Sequence, residues 1–404
     1  MTVHLFRGVV IVGVLFFSAS VGLSAQIVTT PPGTGSFVRL REPRITPLPE
    51  DEWTAEQLAL VEKYSSQTRI GNGFRTMLRV PELVEAVMPF VLFTPSDSTL
   101  SPRHRELLIL RTAWLCQASS IWADHAPLAR TVGITPLELE SIAKGPNAEG
   151  WDPFESSLLS LADELFRHSS VQNVTWTELA DRYDLYNLFD AVMVVNEYTL
   201  LGMLYNSWGV QPDPSAQAKF PESVQYRLEL PEPDPPLTVP RIEPVEGSGI
   251  RVRRTFARYP ELQEARSGQS GYVNRVSPLT PYFREMLILR IGWNCQSVYE
   301  WAKHVGSVGR ARDHGLDPRR IAMGASAGWN IFEAAHIRAA DEIYRDGIIS
   351  DATWTLLSDQ YDTREMMSVV MTVANYRLVS MSLNALGVQP QDTDELFPDL
   401  GDQQ

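Results

Sequence analysis

Apolar residues along this chain recur at helical spacing, and no segment shows the strict alternation of a half-buried strand. The longest run, Leu185 to Trp208, is apolar on nearly every side and stops at Gly209-Val-Gln-Pro212. Its counterpart late in the chain stops at Gly387-Val-Gln-Pro390. Shorter helices are predicted from about Thr54 to Tyr64, with Leu58, Val61 and Tyr64 as the inward stripe, and from Pro81, Phe154 to His168, and Thr175 to Tyr183. Thr135-Pro-Leu-Glu138 reads as a capping box with proline at the first helical position, and Asp317-Pro318 answers it. Each half therefore reads as an all-α domain of roughly six or seven helices.

One stretch occurs twice. Arg105-Glu-Leu-Leu-Ile-Leu-Arg111 is followed by Trp114-Leu-Cys116 and Trp122-Ala-Asp-His125. Arg284-Glu-Met-Leu-Ile-Leu-Arg290, Trp293-Asn-Cys295 and Trp301-Ala-Lys-His304 repeat it about 179 residues later, a period of domain size. Ser101-Pro102 and Thr280-Pro281 stand where an N-cap and a first-turn proline belong. The run after each Glu is so uniformly apolar that the helix must be packed on most of its circumference, where a carboxylate needs a partner. In the second half, Ser297-Val-Tyr-Glu300 reads as a capping box opening the helix that carries Trp301 and His304. The first half has Ala118 and Ile121 at those places, so its helix must start on Ser119 or Ser120. Two consecutive helices then bring Glu106 to His125, and Glu285 to His304, in a mostly apolar cleft suited to acid/base chemistry.

Organisation follows from the ends and the composition. Residues 1–25, with Arg7, an apolar run from Val9 to Phe17 and small residues through Ala25, have the layout of a secretory signal. Two repeats, 26–212 and 238–390, flank a Pro-rich, acidic, semi-rigid linker at 213–237, and an acidic tail at 391–404 is expected to be loose. A formal charge of −14 argues against a nucleic-acid partner. No metal constellation and no phosphate-cradling glycine loop is found, so no cofactor is expected. Once the leader is removed the chain is expected to be periplasmic or secreted, with no membrane association.

Both halves resemble the gamma-carboxymuconolactone decarboxylase family, which is related to the thiol peroxidase alkylhydroperoxidase D (AhpD). The resemblance rests on Pro43-Arg-Ile45 and Pro240-Arg-Ile242, the two Arg-Glu-x-x-Ile-Leu-Arg helices, the Trp-x-x-His turns and the two Gly-Val-Gln-Pro segments. It implies two tandem AhpD-like helical domains packed as a pseudo-dimer. It also implies that Glu106, His125, Glu285 and His304 are the catalytic acids and bases, acting on a small unsaturated organic acid or lactone. Arg105, Arg111, Arg284 and Arg290 are candidates to hold a substrate carboxylate, and Trp122 and Trp301 to line the pocket. Homo-oligomers, such as tandem units about a threefold axis, follow from the same likeness.

The sequence departs from the peroxidase branch, whose Cys-x-x-Cys places are held here by Ala118 and Ile121, and by Ser297 and Glu300. Cys116 and Cys295 lie two residues upstream and admit three readings: buried thiols, a disulfide joining the halves, or a single-Cys peroxidase. A non-catalytic binding or scaffold module of the same fold is the remaining alternative.

Overall fold

The computed structural model describes residues 39–400, so the expected leader lies outside the described residues. The first half comprises α1 (Ala55–Tyr64), α2 (Asn72–Met77), α3 (Pro81–Ser96), α4 (Pro102–Leu115), α5 (Ser119–Thr131), α6 (Pro136–Lys144), α7 (Pro153–His168), α8 (Asn173–Ala180) and α9 (Leu185–Trp208). The order from α2 onward recurs as α10 (Arg251–Phe256), α11 (Pro260–Arg275), α12 (Pro281–Asn294), α13 (Val298–Val305), α14 (Pro318–Met323), α15 (Ile331–Asp346), α16 (Asp351–Ser358) and α17 (Thr363–Leu386). There is no strand among the described residues. Among the described residues the first helix has no counterpart in the second half. Its buried face is Gln57, Leu60 and Tyr64, and Leu58 is 45% exposed, one step round from the expected stripe. The Thr54/Gln57 capping box sets the start, and Gln57 turns inward to donate to the Leu78 carbonyl at 3.0 Å.

The centre is built from α9 and α17, each packed against the other and buried almost all round. By length and composition α9 is apolar enough to cross a membrane, yet 94% of its most apolar window is buried inside the protein, as expected for a core helix. Beside them α3 packs on α11, so each half lends two helices to a shared interface. Gly209 and Gly387 end the central helices at φ 74° and 70°, where a residue with a Cβ would be strained and would also meet backbone of the incoming arm at 2.9 Å.

Those arms carry the duplicated Pro-Arg-Ile. The amides of Arg44 and Ile45 donate to the Trp208 carbonyl, and those of Arg241 and Ile242 to the Leu386 carbonyl, closing the C-terminus of each half's own last helix. Both arginines then cross over. Arg44 reaches the Ile349 carbonyl at 2.7 Å and Asp351 at 2.6 Å, while Arg241 reaches the Val171 carbonyl and Asn173, each at 2.8 Å. The clasp is reciprocal. Between these ends lies Arg377, fully buried, which donates to the Phe166 carbonyl at 2.7 Å and the Tyr344 carbonyl at 3.0 Å, tying the C-termini of α7 and α15 together.

The segment expected to be a semi-rigid linker and the tail expected to be loose both dock on the helices. Within the linker, Phe220 packs on Trp114 and Trp122, and Trp122 donates to the Lys219 carbonyl at 2.9 Å. The tail repeats this: Phe397 packs on Trp293 and Trp301, and Leu400 is buried. Both are Phe-Pro dipeptides following a Gly-Val-Gln-Pro stop. Each half thus ends in a strap that covers its own tryptophan pair, because indole area left bare costs more than ordering a short extended segment.

Candidate functional site

Both carboxylate–histidine pairs form. His125 Nδ1 is 2.9 Å from Glu106 Oε2, and His304 Nδ1 is 2.6 Å from Glu285 Oε2. The path to this geometry is the same twice over. A proline-started helix, α4 or α12, presents its Glu inward and ends at Cys116 or Cys295. The next residue, Gln117 or Gln296, takes the left-handed conformation at φ 54° or 51°. The amide two residues beyond the Cys then bonds back, Ala118 to Ala113 and Ser297 to Gly292, both at 2.9 Å. That stop turns the chain sharply enough to lay α5 and α13 alongside and deliver the His to the Glu.

Past this point the halves differ. In the second, Glu300 Oε1 lies 2.9 Å from His304 Nε2, as an ion pair off the line of a straight hydrogen bond, so both ring nitrogens face carboxylates. Burial would lower the His304 pKa, but Glu285 and Glu300 overcome it and raise it to about 10. Burial would likewise raise Glu285, yet His304 and then Arg284, whose Nε is 3.1 Å from Oε1, hold its pKa below the usual value. The expected Ser297/Glu300 capping box does not form: Ser297 makes no cap and Glu300 is drawn into the ion pair instead.

The second pair is also roofed. After α13 the chain breaks at Gly306 and folds back, with Val308 and Gly309 both bonding the Lys303 carbonyl. A Cβ on Gly309 would lie 2.1 Å from Glu285 Oε2 and 2.7 Å from His304 Nδ1, so only glycine fits against the pair. The His304 side chain is 4% exposed. As a catalytic base, the role the resemblance implied for it, it has no free nitrogen and no access.

In the first half the position of Glu300 is Ile121, and α5 continues past His125 to Thr131 instead of folding back. The His125 side chain is 17% exposed, and its Nε2 has no partner among the described residues. A carboxylate at Nδ1 makes that nitrogen the N–H donor, which leaves the lone pair on Nε2 facing outward. Arg105, the counterpart of Arg284, makes no ion pair among the described residues. Tyr198 stands edge-on to the His125 ring, 5.1 Å between centroids, as Tyr376 does to His304 at 4.9 Å. On the far side, Asp124 and Asp213 pair with Arg69.

Several expected site residues belong elsewhere. Arg111 is buried, bridges Asp163 through both oxygens at 2.5 and 2.8 Å, and donates to the carbonyls of Ile142 and Ala143 at the end of α6. Arg290 is likewise buried, its Nε 2.5 Å from Asp341 Oδ1, and donates to the carbonyls of Ile321 and Ala322 at the end of α14. Both guanidiniums are sealed in these contacts, at 1% and 0% exposure, out of reach of a substrate. Trp122 and Trp301 are buried under their straps and are core, not pocket, residues. Cys116 and Cys295 are free and buried, so no disulfide joins the halves. Burial pushes their thiols up to about 12 and about 11, against the partial relief of Arg377, and neither is placed to act as a peroxide-reducing thiolate. A cavity of about 820 Å³ lies beside the first strap among Arg39, Trp114, Phe220 and Tyr226, and neither Glu106 nor His125 lines it. Among the described residues no group of His, Cys, Asp and Glu could hold a metal ion.

No family model and no curated protein matches the chain. Among solved structures, it is similar to an uncharacterised peroxidase-related protein from Silicibacter sp. TM1040, at 15% identity over 48% of this chain and 100% of that one, with a TM-score of 0.37. It is also similar to an uncharacterised peroxidase-related protein from Ralstonia eutropha JMP134, described as an alkylhydroperoxidase AhpD core, at 18% identity over 42% of this chain and 93% of that one, with a TM-score of 0.36.

Proposed function

We propose that the first half is an acid/base enzyme site and the second its structural copy. Glu106 orients His125 through Nδ1, and His125 Nε2 takes a proton from, and returns one to, a carbon of a small organic acid held by Arg105. The observation that carries this reading is the contrast at Nε2: enclosed by Glu300 in one half, unpartnered beside Ile121 in the other. Moving a proton between carbons balances without oxidant or metal. The same histidine serves a decarboxylation when its Nε2 has first taken a proton from solvent, which it then gives to the carbanion that loss of carbon dioxide leaves. With the secretory layout of residues 1–25, we assign the site to a compartment outside the cytoplasm.

Solvent-deuterium incorporation into small keto acids, unsaturated acids and lactones, followed by proton NMR, tests the reading. His125→Gln is expected to remove incorporation by at least about 100-fold, in line with a positioned general base. His304→Gln is expected to leave it within about twofold once folded protein is compared. Equal loss in both variants, or no loss in His125→Gln, would overturn the assignment.

A further inference from the structure

Resting on that reading, we propose that Tyr198 is a further catalytic residue, donating its hydroxyl to the oxygen of an enolate, and that the substrate is therefore an acid that also carries a ketone or lactone carbonyl. The duplication provides the internal control. In the closed half the Tyr376 hydroxyl is engaged on both sides by Asn274: it accepts from Nδ2 at 2.8 Å and donates to Oδ1 at 3.1 Å. The position of Asn274 in α11 is that of Pro95 in α3, which offers neither donor nor acceptor. The Tyr198 hydroxyl consequently has no hydrogen-bond partner among the described residues, although the residue is only 6% exposed. Without a partner and yet not sealed from accessible space, that hydroxyl is left for solvent or a ligand to use.

Three polar groups of the first half are each released from the contact their counterpart makes, namely His125 Nε2, the Arg105 guanidinium and the Tyr198 hydroxyl; the Tyr198 ring stands against that of His125, and Arg105 is near enough for its charge to act on Tyr198. They differ in chemistry. The guanidinium matches a carboxylate, the imidazole a C–H, and a neutral phenol a developing oxyanion. Tyr198 stays neutral: burial raises its pKa well above the ordinary value, and the charge of Glu106 adds to this. In the step we assign, His125 Nε2 takes a proton from the carbon next to the carbonyl, and the C–H electrons form the C=C bond of the enolate. The carbonyl π pair moves to oxygen, which accepts the Tyr198 O–H, and the imidazolium returns its proton to carbon. No co-reactant is consumed.

The test uses 4-oxopentanoate as probe in deuterium oxide, with pentanoate, which has no ketone, and 2-pentanone, which has no carboxylate, beside it. The full chain should exchange the C3 protons of 4-oxopentanoate, leave pentanoate untouched and exchange 2-pentanone at least tenfold more slowly. Tyr198→Phe, which keeps the ring against His125, should lower exchange about 100- to 1000-fold, as loss of one oxyanion donor does. Its His125 imidazole nitrogen resonances should stay unchanged, and Tyr376→Phe should have no effect. Exchange that survives Tyr198→Phe but is lost in His125→Gln would overturn the tyrosine assignment and leave the acid/base reading standing. Absence of exchange in the parent protein, or exchange indifferent to His125→Gln, would overturn both.

Discussion

Ile121 and Glu300 occupy the same place in two copies of one helix and decide which imidazole keeps an unpartnered Nε2. Replacing Ile121 with Glu is expected to recreate the second half's arrangement, occupy Nε2 and remove deuterium exchange by at least about 100-fold, while far-ultraviolet circular dichroism stays that of the parent. The opposite change, His304→Gln, leaves Glu285 and Glu300 buried without the cation between them, at a cost of about 3–5 kcal/mol by chemical denaturation. Two groups also set a pH slope. Burial raises the Glu197 carboxyl to about 8, against its bond from Gln269 and the charge of Arg266, so the native state holds a proton that the unfolded chain releases near pH 4. That contribution declines as pH climbs from there to about 8. The His304 imidazolium, raised to about 10, is fully stabilising below its ordinary pKa near 6.5 and is lost as pH passes through 10. Both slopes have the same sign, and above about pH 6.5 the buried neutral His336 no longer opposes them, so unfolding free energy should fall by a few kcal/mol between about pH 6.5 and pH 9.5; a flat profile there would show that neither group is buried as described. Glu106, His125 and their copies were legible because repetition marks them. The role of Glu300 was not, since Ser-x-x-Glu satisfies a capping pattern equally well and only tertiary packing sends the carboxylate to His304 instead.

At the scale of elements, helix ends were legible wherever a cap or a proline announces them: Ser101-Pro102, Thr135-Pro136 and Asp317-Pro318 all cap as their chemistry requires. The segments that are not helices were harder. The straps lie in stretches whose prolines and acids suggest a linker and a tail, and the repeated Phe-Pro at 220 and 397 is the one signal that they pack. The fold-back over the second pair had its own signal in Gly306 and Gly309, which read as nothing without the carboxylate they approach. Arg111 and Arg290 looked like anion holders because a guanidinium suits a substrate carboxylate as well as it suits Asp163 or Asp341. Arg290→Ala should therefore destabilise by about 3–5 kcal/mol, leaving a buried Asp341 charge and two unpaired carbonyls, without changing exchange by the folded enzyme. Thiol reagents offer a simple check on the α4–α5 and α12–α13 corners. Neither Cys116 nor Cys295 should react in the native protein, and both should react on unfolding.

For the molecule as a whole, duplication with divergence has produced one closed copy and one open copy on a common interface of α9, α17, α3 and α11. The halves share their core yet are held at the edges by Arg44 and Arg241, each sealing its own last helix while gripping the opposite half. A further consequence follows from that reciprocity. The covalent connection between the halves runs through an exposed stretch around 231–236, while the holding contacts lie in the arms and the central helices. A single protease cut in that stretch should leave two fragments that co-elute as one particle and keep their activity. By the same logic, the two pieces made from separate messages would find each other and rebuild the whole.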